Sequence, residues 1–150
     1  MVIGLVAITP GAGFVPIWAA ILIGALVSPI CYFFINVIKP KFAYDDALDV
    51  FGCHGIGGIW GGIATGIFAN KSINSAAPWN GLVYGDVTLF LRQIAAILIT
   101  IVIAIIGTLV AAKIASLITK GIKVSDKAEV TGLDSSEHGE TAYPAFNGMD

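Results

Sequence analysis

Three long stretches of the chain carry no Lys, Arg, Asp or Glu: residues 1–38, 50–70 and 93–112. A helix needs about 20 apolar residues to cross the hydrocarbon core of a bilayer. The pattern therefore predicts three full membrane-spanning helices, at 14–38, 50–69 and 89–118. The last is longer than a perpendicular crossing requires and is expected to tilt or to extend into the headgroups. Residues 1–8 are also apolar, but the run stops at Thr9-Pro10-Gly11-Ala12-Gly13, where Pro lacks a backbone donor and Gly loosens the chain. That run is too short to span. Having no flanking charge and beginning abruptly, it reads as the second half of a transmembrane helix, and the chain as the C-terminal part of a longer membrane protein.

Composition sharpens this picture. Over 150 residues, 57% are hydrophobic and 12% charged, with a mean hydropathy of +0.89, whereas soluble domains are about 25% charged. A soluble globular domain is excluded. Of the eight basic and ten acidic residues, eight lie from Gly121 onward, which divides the chain into a membrane portion, 1–120, and a polar tail, 121–150. A net charge of −2 with scattered basic residues does not fit nucleic-acid binding. Cys31 and Cys53 sit in apolar runs, which supports neither a disulfide framework nor a zinc set; each is expected to be a small buried apolar residue. The N-terminus is not expected to be a signal peptide, since no basic region precedes its apolar run and Pro10 interrupts it. Lys39, Lys41, Lys113, Lys120, Lys123 and Lys127 fall on one side of the predicted spans, and Lys71 and Arg92 on the other. The excess of cationic residues places the 39–49 loop and the C-terminus in the cytoplasm. Trp79 and Tyr84 in the outer loop are either interface anchors or local packing.

The candidate chemistry lies in the second span, Asp49-Val50-Phe51-Gly52-Cys53-His54-Gly55-Ile56-Gly57-Gly58-Ile59-Trp60-Gly61-Gly62 and onward. At about 100° per residue, Val50, Gly57, Gly58, Gly61 and Thr65 fall on the side of His54, and Ile56, Ile59, Ile63 and Ile67 on the other. Gly57, Gly58, Gly61 and Gly62 are thus expected to serve helix packing, as small residues do in membranes. His54 should face the protein interior or a pore, because an ionisable group facing lipid is costly. A pathway residue and a neutral histidine bonded between helices both fit. No metal site is expected, since only Cys53 is near and it points elsewhere. No serine stands beside a base and there are no paired membrane aspartates, so an enzyme is not expected. Asp45 and Asp46 fit a solvated cap at the positive end of the helix dipole, and Asp49 is expected to help order this cytoplasmic mouth. Val50 either lines a pore exit or packs, and Thr9 either caps beside Pro10 or contacts a substrate. Trp60 is read as packing.

The run from Asp46 to Gly61 closely resembles the tenth membrane helix of ammonium transporters of the ammonium transporter and Rhesus family. Residues Gly4 to Gly13 resemble the end of that family's eighth helix. Gly132-Leu133-Asp134 with His138-Gly139-Glu140-Thr141-Ala142-Tyr143 resembles its cytoplasmic tail. The resemblance implies an all-α polytopic membrane protein, part of an eleven-helix inverted-repeat transporter: the end of helix 8, helices 9 to 11 and the tail. It further implies a narrow apolar pore, a homotrimer in the cell membrane, and two stacked pore histidines, of which His54 matches the second. The first belongs to a helix outside these 150 residues. The implied substrate is ammonium or ammonia, with no cofactor. Substrate-pathway residues would be His54, Val50 and Thr9.

The third span has no ionisable group between Arg92 and Lys113 and reads as scaffold. By itself the tail reads as a disordered acidic end. The family resemblance implies instead a partly ordered regulatory tail through Gly132, Leu133, Asp134, His138, Gly139 and Glu140, on a face where a PII nitrogen-regulatory protein docks in many prokaryotes. The competing expectation is a structural or binding membrane module that keeps the fold without transporting.

Overall fold

The computed structural model describes residues 1–140. Every element among them is helical. The chain divides into two units, Met1–Val102 and Ile103–Asp150, and each is described by itself.

In the first unit, α1 (Val2–Ile8) ends in a 3-10 turn at Thr9–Gly11. Pro10 is tolerated there because the first positions of a helical turn need no donor. Gly13, at φ 77°, reverses the chain, and Pro16 caps α2 (Ile17–Phe33). The start at Ile17 rather than 14 follows from Pro16, whose extended backbone (ψ 159°) lies outside the helix. The helix then continues through a π-helical turn, Phe34–Ile38, into the short α3, Lys39–Phe42. It stops where Ala43 adopts a left-handed conformation. A second π-helical turn, Phe51–Ile56, leads directly into α4, Gly57–Phe68. The outer loop holds a 3-10 turn at Leu82–Tyr84 and is tied to the helix ends by Asn70 N–H to Phe14 O (2.8 Å) and Gly81 N–H to Ala69 O (2.7 Å). Asp86 accepts the Thr88 amide at 2.9 Å, a side-chain cap opening α5, Val87–Thr119. That bond is the main reason the Asp86 carboxyl is held below its ordinary value.

Two helical stretches among the described residues are long and apolar enough to cross a membrane, Ile17–Phe42 and Val87–Thr119. Residues 51–68 are helical throughout but are not one of these two, because seven of the eighteen are Gly, which adds no apolar side chain.

The core lies where α1, α2 and α4 meet. On α2 the buried residues are Ala19, Ile23, Val27 and Cys31, spaced by four, so that they form one stripe on an otherwise apolar helix. Ala7 of α1, Ile56 and Ala64 pack with Ile23, Val27 and Cys31. Most of the remaining α2 surface, including Ile17 and Ile21, is exposed, while Ala20, Gly24 and Ile30 are half-buried. Glycine sets the distance between α1 and α4: a Cβ on Gly61 would overlap the carbonyl oxygen of Ala7. Beside it, Thr65 is buried with its hydroxyl donating to Gly61 O at 2.8 Å, and a Cβ on Gly11 would stand 3.2 Å from the Thr65 Oγ1. Gly62 and Gly66 face α5, where a Cβ would meet Ile97 Cδ1 and Phe90 Cα at 2.9 Å each. Trp60 does more than pack. Its indole Nε1–H donates to Ile23 O at 3.1 Å, joining α4 to α2.

In the outer loop Trp79 is covered by Arg92, whose guanidinium carbon lies 3.8 Å from the ring centroid, an arrangement that favours local packing through a cation–π contact. Cys31 is fully buried and Cys53 partly so, and neither is in a disulfide.

In the second unit, the C-terminal part of α5 is followed by α6, Asp126–Thr131, whose N-cap Ser125 accepts the Ala128 amide through Oγ. A π-helical turn follows at Asp134–His138.

Replacing Gly61 with Ala forces α1 off α4. The substitution should cost about 1–3 kcal/mol, the range for overpacking a dense contact, and read out as a lowered unfolding midpoint of the detergent-solubilised full-length protein. An unchanged midpoint would mean that the backbones do not approach at Ala7 and Gly61.

Candidate functional site at the start of the glycine helix

The loop of residues 43–50 is short and holds two residues at positive φ, Ala43 (48°) and Asp49 (54°). Asp tolerates this region better than most residues because its short polar side chain bonds locally. Lys39 reaches across the loop. Its Nζ donates to the Asp46 carbonyl at 2.6 Å and to the Asp49 carboxylate at 2.5 Å, with both charged side chains partly shielded from solvent. The Asp46 carboxylate accepts the amides of Val50 and Phe51, each at 2.8 Å. Two of the donors that a helix N-terminus leaves unsatisfied are thereby paired. The Asp49 carbonyl in turn accepts the Cys53 amide at 2.8 Å. Tyr44 packs edge-on against the Phe51 ring at 5.8 Å. Asp45 is exposed.

The two π-helical turns pack together, with Ile35 of the first against Gly52 of the second; a Cβ on Gly52 would lie 2.5 Å from Ile35 Cγ1. Such turns insert an extra residue per hydrogen-bonded ring and recur at functional sites. Here the insertion changes which residues share a face. A constant 100° per residue puts His54 and Val50 with Gly57, Gly61 and Thr65. In the structure the buried residues are Gly52, Ile56, Gly57, Gly61, Gly62, Ala64, Thr65 and Gly66, while His54 and Val50 are exposed. Ile56, expected on the bulky outer side, is 8% exposed and belongs to the core. Gly58 is also on the open side, with nothing within 4 Å of a Cβ built there, whereas Gly57 faces Val6 and Cys31. The wider turn rotates everything before Gly57 relative to everything after it.

His54 therefore stands on the unpacked side of a helix whose other side is locked into the core. Among the described residues its ring makes no hydrogen bond or ion pair, and no group of three or more His, Cys, Asp and Glu side chains could hold a metal. Thr9 is exposed at the end of α1, with its hydroxyl donating to Leu5 O at 2.7 Å. This back-bond to the preceding turn satisfies the hydroxyl locally. Thr9 and His54 thus lie on different helical segments.

The tail residues are local to one another. Gly132 (φ 100°) and Gly139 (φ 69°) take conformations suited to glycine. Ser136 donates to Gly132 O at 2.8 Å, and the Glu140 amide to Asp134 O at 3.0 Å. Leu133 and His138 are exposed. Lys123 lies 3.6 Å from Asp126 and 3.5 Å from Glu129, both exposed pairs, of the kind worth little in water. Thr141, Ala142 and Tyr143 of the tail motif lie outside the described residues.

A family model described as Ammonium Transporter Family matches residues 1–143. The chain belongs to the Ammonium Transporter Family. It is 52% identical over 140 residues to an ammonium transporter of Bacillus subtilis, covering 93% of this chain and 34% of that protein. Over 143 residues it is 46% identical to an ammonium transporter of Aquifex aeolicus, covering 95% and 33% respectively. Among solved structures, Candida albicans Mep2 matches with a TM-score of 0.73 at 26% identity, over 84% of this chain and 28% of that one. Saccharomyces cerevisiae Mep2 matches with a TM-score of 0.55 at 39% identity, over 65% and 23%. The chain spans about a third of the length of the curated relatives it matches. The family consists of membrane transport proteins and not of enzymes.

The cap at Asp46 was partly visible in the sequence as an acidic cluster before a helix. The reach of Lys39 was not, because its partners follow it by seven and ten residues through an irregular loop. Removing the Asp46 carboxylate by Asp46→Ala leaves the Val50 and Phe51 amides without an acceptor and should cost about 1 kcal/mol at the helix start. Hydrogen exchange of those two amides in the full-length protein should accelerate several-fold, while exchange in α4 beyond Gly61 stays slow. Unchanged exchange at Val50 and Phe51 would show that Asp46 is not their acceptor.

Proposed function

We propose that this chain supplies one wall of an ammonium pathway, with His54 as the pathway residue. The observation that carries this reading is the exposed His54 ring, held by a π-helical turn on the unpacked side of a helix whose opposite side is fixed by close backbone contact. In a family member such a side faces the rest of the protomer. Val50, one turn earlier on the same exposed side, contributes to the cytoplasmic exit, and Thr9 contributes to the pathway near the outer end.

The chemistry follows from desolvation. Moving a unit charge from water into low dielectric costs many kcal/mol, so an apolar passage stops potassium, which has no proton to surrender. Ammonium can give up its proton, and the remaining ammonia can hydrogen-bond to neutral imidazole nitrogens. A second histidine, from the part of the transporter that precedes this chain, pairs with His54 and fixes its tautomer. In this reading residues 14–38, 50–69 and 89–118 cross the membrane within an eleven-helix inverted repeat. The complete protein is a trimer, and the C-terminus is cytoplasmic. Residues 121–150 form a regulatory tail on the face open to a PII nitrogen-regulatory protein.

Replacing His54 with Ala or Asp in the full-length protein is expected to abolish methylammonium uptake or to change its selectivity against potassium. Normal uptake with intact potassium exclusion would remove His54 from the pathway. The 150-residue chain alone, covering about a third of its relatives, lacks one wall of the pore and the first histidine. Reconstituted in liposomes it is expected to carry no methylammonium, and measurable uptake would overturn that expectation.

A further inference from the structure

We propose that Lys39 is a positioning residue for the transport pathway, locking the 43–50 loop so that the helix bearing His54 begins with a π-helical turn. This rests on the reading of His54 as a pathway residue. The observations are geometric. One ammonium group grips the loop at two points three residues apart, the Asp46 carbonyl and the Asp49 carboxylate. Asp46 is thereby held by its backbone while its carboxylate takes the Val50 and Phe51 amides. Asp49 is kept at a φ of 54°, a conformation that costs an L-residue unless its surroundings impose it, and its carbonyl accepts the Cys53 amide. The Val50, Phe51 and Cys53 amides at the start of this helix therefore bond to the two residues held by Lys39.

The π-helical turn follows immediately and fits against Ile35 through Gly52. Beyond it the core holds Gly57 and Gly61 in place. The turn is constrained at both ends, and its extra residue is what leaves His54 on the open side. Without the Lys39 clasp the first turn is free to rewind with α-helical spacing, and one residue of register rotates His54 by about 100°. Lys39 touches no substrate in this scheme and acts only through the loop.

The test uses the full-length protein with Lys39→Met, which keeps the aliphatic stem and removes the charge, and Lys39→Arg, which keeps the charge. Methylammonium uptake is measured over a concentration series, together with the imidazole nitrogen chemical shifts of His54. Lys39→Met is expected to raise the half-saturating concentration about tenfold or more, as displacement of a positioned group does, and to move the His54 shifts. Asp49→Asn should act in the same direction, and Lys39→Arg should stay near the unsubstituted protein. If Lys39→Met lowers only the maximal rate, in proportion to the protein present in the membrane, Lys39 serves insertion and the proposal is overturned. Unchanged His54 shifts in Lys39→Met overturn it as well. The pathway reading fails separately: normal uptake by His54→Ala removes His54 from transport, while the chemical shifts still report whether Lys39 positions it.

Discussion

Backbone-to-backbone contact between α1 and α4 is the constraint on which the described membrane portion depends. Lipid is as apolar as any core side chain, so helices in a bilayer gain little from burying hydrophobic surface against one another and associate through close packing. Gly61 permits that packing by leaving room for the Ala7 carbonyl. Around this point Thr65 directs its hydroxyl back to Gly61 O and Gly11 accommodates it, so the buried hydroxyl at the contact is paired. The α2 stripe from Ala19 to Cys31 closes the third side, and the Trp60 indole ties α4 to α2 by a hydrogen bond to Ile23 O. Glycine is poor in a helix for entropic reasons. At Gly61, Gly62 and Gly66 that cost is offset by approaches that any side chain would prevent.

Once α4 is fixed by its glycines, the segment before it has to accommodate both the core and the loop from α3. The π-helical turn at Phe51–Ile56 is where this happens. Ile56 turns into the core and His54 turns out of it, although the two are only two residues apart. A titratable ring on an otherwise apolar helix is thus presented without being buried against its own helical neighbours. The matching π-helical turn at Phe34–Ile38 lies alongside, joined through Ile35 and Gly52. The π-helical turns at Phe34–Ile38 and Phe51–Ile56 both adjoin the segment that carries Lys39, Asp46 and Asp49.

The long uncharged runs lie largely in helices, and Pro10 and Pro16 stand at helix ends, whereas Pro40 lies within the helical stretch Ile17–Phe42. The long helix expected at 89–118 is Val87–Thr119. The break after residue 8 is the turn at Thr9–Gly11. Face assignments were less legible. A helical wheel assumes one period, and the period changes at Gly57, so His54 and Val50 were grouped with Gly57 and Gly61, which in fact face the core. Trp60 was read as packing because its bulk is visible in sequence and the direction of its N–H is not. Arg92 over Trp79 and Lys39 on Asp49 join residues across loops whose path has no local periodic signal.

Family membership was carried by the sequence alone, because the residues from Asp46 to Gly61 combine Asp, His and Gly at spacings that apolar helices otherwise lack, and the apolar runs by themselves establish helices suited to a bilayer. The tertiary structure decided which side of the histidine helix is closed and which is open. That outcome depends on where an extra residue is inserted into a helical turn. The insertion is set jointly by glycine contacts on one side and by a lysine-held loop on the other, and no single segment of sequence contains both.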